Sequence, residues 1–109
     1  MTFDFALEYI PRRMKELGYR DDYHLRLKYL LLGPIEVRTL EAYGQLIILV
    51  DTGWNARVES DMGVMDWNDG NLREYQFEHQ GHITFTNKWE GLNGIQYIQV
   101  IPKRQSICL

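Results

Sequence analysis

The sequence predicts a mainly β domain of the α+β kind, with a kinked N-terminal helical segment packed on a small antiparallel β-sandwich or open barrel. Three observations carry that prediction. Apolar residues recur every three or four positions over residues 1–18, then every second position from residue 24 onward. Aromatic residues make up 13% of the chain, and their rings suit a pleated, half-buried surface. Turn-forming residues, among them Gly33-Pro34 and Gln80-Gly81, cut the remainder into short runs.

In the helical segment, Phe3, Ala6, Leu7, Ile10, Met14 and Leu17 fall on one face. Thr2 stands where an N-cap belongs, and Gly18 follows the last apolar position as a C′ glycine does. Pro11 lacks an amide donor and clashes one turn back, so a kink or two short helices are expected there.

The β region spans residues 24–102. Leu25, Leu27, Tyr29 and Leu31 alternate with polar neighbours, as a half-buried strand requires. A loop of Leu32 to Pro34 sets Leu31 opposite Ile35 and Tyr29 opposite Val37, although it also opposes Lys28 to Arg38. Leu46 to Val50 is apolar on both faces and reads as a central strand. Trp54, Ala56 and Val58 alternate inward on the next, and Asp66 to Asn71 has loop composition.

Residues 73–86 read as a hairpin with a His79-Gln80-Gly81 loop. That register sets Tyr75 and Phe77 against Phe85 and Ile83, and Glu74, Gln76 and Glu78 against Thr86, Thr84 and His82. Trp89 to Gly94 is a loop, and Ile95 to Ile101 is a last strand, apolar on both faces and ended by Pro102. Residues 103–109 read as a flexible tail. The total is about seven strands. The alternative architecture is similar to the cystatin-like folds, a helix cradled by one strongly curved sheet.

A chain of 109 residues holds one core, so residues 1–109 form a single domain. The net charge of −3 argues against nucleic-acid and anionic-membrane partners, which favour a basic face. Cys108 is the single cysteine, so no intrachain disulfide forms. With neither a signal peptide nor a membrane span legible, an intracellular, cytoplasmic protein is expected.

Chemistry is sparse. Asp51-Thr52-Gly53 follows the apolar run Leu46 to Val50, and this stretch resembles the active-site segment of retroviral-type aspartic proteases. The resemblance implies a homodimer in which each subunit lends one Asp, here Asp51, and the two carboxylates share a proton. Trp54 and Asn55 follow where that family has Ala and then Ser or Asp, and Leu92-Asn93-Gly94-Ile95 matches its second signature poorly. A plain turn between strands is the favoured reading of the triplet.

Glu78 and His82 are expected as a cross-strand ion pair, with His79 on another heading and no metal bound. Asp61, Asp66 and Asp69 lack calcium-loop spacing and read as solvated acids. Ser60 has no evident partner. No cofactor is expected. Trp67 and Trp89 lie in loop stretches, where a large ring is either tucked beneath the chain or offered to a partner.

These features favour a non-enzymatic structural or assembly module that acts through protein contacts, as a homo-oligomer. By fold-level analogy it is similar to phage or mobile-element structural components. The alternatives are the dimeric protease and a small-ligand binder with a cavity between helix and sheet.

Overall fold

The computed structural model describes residues 3–51, 55–66 and 77–103. These residues form one helix, α1 (Phe3–Glu16), then strands β1 (Tyr23–Leu32), β2 (Val37–Asp51), β3 (Ala56–Ser60), β4 (Gly63–Asp66), β5 (Glu78–Asn87) and β6 (Asn93–Pro102). The strands form one antiparallel sheet in the order β1-β6-β2-β5-β3-β4. Among the described residues the sheet is open, with β1 and β4 at its edges. The fold is therefore mainly β, as the periodicity predicts. Among the described residues no helix is long and apolar enough to cross a membrane.

α1 is one uninterrupted helix rather than two. Pro11 and Leu7, whose carbonyl loses its helical partner to the proline, are both exposed, so water can serve that group. The helix ends in a Schellman motif: Gly18 N–H donates to Lys15 O at 3.1 Å and Tyr19 N–H to Met14 O at 2.9 Å, with Gly18 at φ 89°. Its buried row is Ala6, Ile10 and Met14. Leu7 and Leu17, expected on that row, are exposed, and Tyr9 packs in their place.

β2 and β5 turn a corner together. Ala42 pairs with Gly81 and Ile47 with His79, so residues 43–46 stand against Gln80 alone. Gly44 and Gly81 adopt φ of 79° and 80° at this bulge, a conformation that costs residues with a Cβ about 1–2 kcal/mol. The three extra residues swap the inward positions from even (Leu40, Ala42) to odd (Ile47, Leu49).

Past the corner the sheet folds back on itself. β1, β6 and the second half of β2 form one layer; the first half of β2 with β5, β3 and β4 forms the other. Ile47, Leu49, Val58, Met65, Ile83, Phe85, Ile95 and Tyr97 fill the space between them, with the Phe85 and Tyr97 rings stacked at 6.0 Å. α1 covers the outside of the first layer over Leu46, Ile48, Ile98 and Val100. This sandwiching buries both faces of β6 and of the second half of β2, as expected for central strands.

Several pairings differ from the sequence reading. β1 pairs with β6 rather than β2, so Leu31 faces Gly94 and Tyr29 faces Gln96. β5 runs unbroken through His79-Gln80-Gly81, where a hairpin loop was expected, because the left-handed glycine serves the corner instead. Two expected strands merge in β2, and β3–β4 forms a hairpin that the sequence did not announce. Thr2, Thr52 to Trp54, residues 67–76 and, of the expected tail at 103–109, all but Lys103 lie outside the described residues, and with them the expected cap, core tryptophan and most of the expected loop; Lys103 N–H donates to Asp22 O at 2.8 Å.

Candidate protein-contact surface

The odd-numbered row of β1 is the principal departure from expectation. Leu25, Leu27, Tyr29 and Leu31 are all exposed, while Leu30 and Leu32 on the opposite face pack into the core. α1 reaches over β6 and β2 and, of β1, takes in only Tyr23 at its start, which leaves the row from Leu25 onward facing solvent on an edge strand. Four large apolar side chains in one exposed row depart from the scattered exposure usual on a soluble surface.

The row continues past the end of the strand. Tyr29, 67% exposed, lies against Gly94, where an added Cβ would overlap its hydroxyl. The Trp89 ring, 43% exposed, lies against Gly91, where a Cβ would come within 2.8 Å of Cη2 and Cζ3. Both rings thus rest on the backbone of residues 91–94, with the exposed Leu92 between. Ile35, also exposed, donates its N–H to Trp89 O at 3.1 Å.

Asn87 builds this end of the molecule. Its fully buried side chain donates to Gly33 O at 2.7 Å and Gly91 O at 2.9 Å. Its Oδ1 accepts from Trp89 N at 3.0 Å and from Asn93 Nδ2 at 3.3 Å, and its backbone N–H donates to Glu36 O at 2.8 Å. One amide thereby ties together the β1–β2 connection, the β5–β6 loop and the start of β6. Asn carries both donors and acceptors on one short side chain, which this junction needs.

The β1–β2 turn is strained. Glu36 N–H donates to Gly33 O at 3.1 Å, with Pro34 and Ile35 between them, and Ile35 has φ 57°. This is the arrangement of a type II turn, whose third position favours Gly or Asn. A β-branched residue there is an outlier. Glu36 closes the turn by accepting from Gly33 N at 2.7 Å. That bond, then Arg38, holds the Glu36 carboxyl below its ordinary pKa.

Glu78 does not pair with His82. The two lie on one strand, and each finds another partner. Glu78 receives Arg13 Nε at 2.9 Å and Arg13 Nη2 at 3.1 Å, together with the Tyr9 hydroxyl, which fastens α1 to β5. Burial, followed by the Glu78 contact, pushes the Tyr9 phenol up to about 12. His82 Nδ1 lies 3.0 Å from Glu41 across the β2–β5 ladder.

His79 is fully buried, and its Nδ1 shares a hydrogen bond of 2.6 Å with Ser60 Oγ, which also accepts from Met62 N at 3.1 Å. A hydroxyl–imidazole pair is the beginning of a nucleophilic site. Here the imidazole has no solvent exposure, and the hydroxyl closes the β3–β4 turn, so the pair latches that hairpin to β5. Asp51 is the last residue of β2 and stands opposite Gln96 in the ladder, exposed; Thr52 and Gly53 lie outside the described residues.

Asp66 bonds Lys88 Nζ at 2.9 Å and 3.1 Å. Among the described residues no three His, Cys, Asp or Glu side chains gather as a metal site would require. Between the end of α1 and the corner lies a cavity of about 150 Å³, lined by residues such as Met14, Tyr19, Gly44 and Leu46. Ligand pockets run to several hundred Å³. Of the two tryptophans singled out in the sequence, Trp89 sits on the apolar surface and Trp67 lies outside the described residues.

No protein-family model, curated protein or solved structure matches the chain.

Proposed function

We propose that the protein is a binding or assembly module that acts through protein contacts, with β1 and the 88–92 loop as its contact surface. The observation that carries this reading is the exposed row Leu25, Leu27, Tyr29 and Leu31 on an edge strand, extended by Trp89 and Leu92. Covering a Leu-sized side chain that is otherwise exposed stabilises a complex by about 1.5–3 kcal/mol before ordering costs are met. Aromatic anchors resting on glycine backbone lose little side-chain freedom on binding, which suits Trp89 and Tyr29 to such a surface.

The test compares wild-type protein with the double variant Leu27→Asp/Tyr29→Asp by quantitative co-purification from the native source and by light scattering at two concentrations. The reading expects a stoichiometric companion, a second copy included, that the variant loses while its circular dichroism is unchanged. Identical companions and identical mass for both proteins would overturn it.

A further inference from the structure

We infer that β1 receives an extended segment of a different protein as an added antiparallel strand, and that this segment alternates acidic with apolar residues. The inference rests on the contact surface proposed above and names its occupant.

β1 is ten residues long, and β6 pairs with one side of it along its whole length. Among the described residues no strand pairs with its other side, so alternate backbone N–H and C=O groups face outward there and can accept a further strand. A strand added there meets two different rows. On one face are Leu25, Leu27, Tyr29 and Leu31. On the other are His24, Arg26 and Lys28, exposed or half-buried, where the second layer of the sheet no longer covers β1. Among the described residues Arg26 and Lys28 make no ion pair; their ladder neighbours on β6 are Gln99 and Tyr97. The two cations set positive charge on this face of the edge strand, in a chain whose net charge is −3.

The same charges disfavour a second copy at this edge. Directly opposed residues in an antiparallel pair share a face and interact. A symmetric pairing of two β1 strands centred on Leu27 sets Arg26 against Lys28 of the other copy, and one centred on Lys28 sets the two lysines together. Shifting by one residue opposes the apolar row to the cations. A foreign strand with Glu or Asp at alternate positions satisfies both rows at once. Its carboxylates face Arg26 and Lys28, and its apolar residues cover Leu25, Leu27 and Tyr29.

The probe is a fluorescent ten-residue peptide alternating Glu with Val, compared with a Lys–Val peptide of the same pattern and with a Glu–Val peptide carrying a central Pro. Anisotropy titrations use the wild-type chain and the charge-reversed variant Arg26→Glu/Lys28→Glu. Expected are binding of the Glu–Val peptide about tenfold tighter than the Lys–Val peptide, reversal of that preference in the variant, and loss of binding with Pro. Amide exchange should slow in β1 and not in the other edge strand, β4.

Equal binding of both peptides, an unchanged preference in the variant, or protection of β4 instead would overturn the inference. So would binding to anionic phosphatidylglycerol vesicles in place of the peptide. If no peptide binds while the Leu27→Asp/Tyr29→Asp variant still loses its companion, the added strand falls and the contact surface stands. If that variant loses nothing, the surface itself falls.

Discussion

The side-chain amide of Asn87 donates to the carbonyl of Gly33 at 2.7 Å, joining residues 54 apart in the chain at the point where the folded sheet meets itself. Asn87 ends β5 in the second layer; Gly33 follows β1 in the first. The bond holds one lip of the sandwich closed and sets the loops that carry Ile35 and Trp89.

Replacing Asn87 with Ala should therefore cost about 2–4 kcal/mol, because buried groups at Gly33, Gly91 and Trp89 lose their partner together. Urea denaturation should show a lower midpoint at an unchanged slope. A loss below about 0.5 kcal/mol would mean that the junction is held elsewhere.

Ile35 offers a change in the opposite direction. Substituting Gly or Asn should relieve the left-handed strain at φ 57° and raise stability by about 1 kcal/mol, read as a higher melting temperature. A lower melting temperature would show that the isoleucine side chain contributes more than its backbone costs.

The Tyr9–Glu78–Arg13 contact predicts a coupling between helix and sheet. Glu78→Leu should cost about 1–3 kcal/mol, since it strands the guanidinium and phenol that Glu78 receives. Arg13→Leu combined with Glu78→Leu should cost less than the sum of the single changes. Additive costs in the double-mutant cycle would refute the coupling.

Alkaline pH should loosen the fold through its tyrosines. Tyr9 is raised to about 12 by burial and by Glu78, and burial raises Tyr23 and Tyr97 as well. A raised acid holds its proton more tightly when folded, so its contribution is whole below the unfolded value of about 10 and is lost as pH climbs toward 12. Absorbance at the phenolate band should show late-titrating tyrosines that become ordinary in denaturant. Tyr9→Phe should remove part of the decline.

At the corner, Gly81→Ala should destabilise more than Gly44→Ala. Both residues hold positive φ, but a Cβ at Gly81 also runs into the Asp61 carboxylate, while at Gly44 it meets open space. Expected losses are about 1–2 kcal/mol at Gly44 and more at Gly81. Equal losses would argue that Asp61 swings aside.

Local order was legible in the chain. The three-to-four spacing marks the helix and, of its expected row, Ala6, Ile10 and Met14 but not Leu7 and Leu17; Gly18 marks its end, and the runs Leu46 to Val50 and Ile95 to Ile101 mark strands with buried residues on both faces, Val50 and Ile101 being half-buried. Each depends on neighbours within one turn or one pleat, so spacing alone determines it. Trp89 was singled out for the same kind of reason, as a large ring in a stretch of loop composition.

Tertiary structure decided the rest. Strand pairing is a contest between distant segments, and β1 found β6 rather than the β2 beside it. Gly81 favours a left-handed conformation, but that conformation serves a hairpin turn and a corner equally well, and only the layer folding behind it selects the corner. The alternating leucines of β1 announce an apolar face without saying what covers it. α1 lies over β6 and β2 and meets β1 only at Tyr23, which leaves Leu25, Leu27, Tyr29 and Leu31 in solvent. Burial is set by where other segments come to lie, a quantity that no local pattern contains.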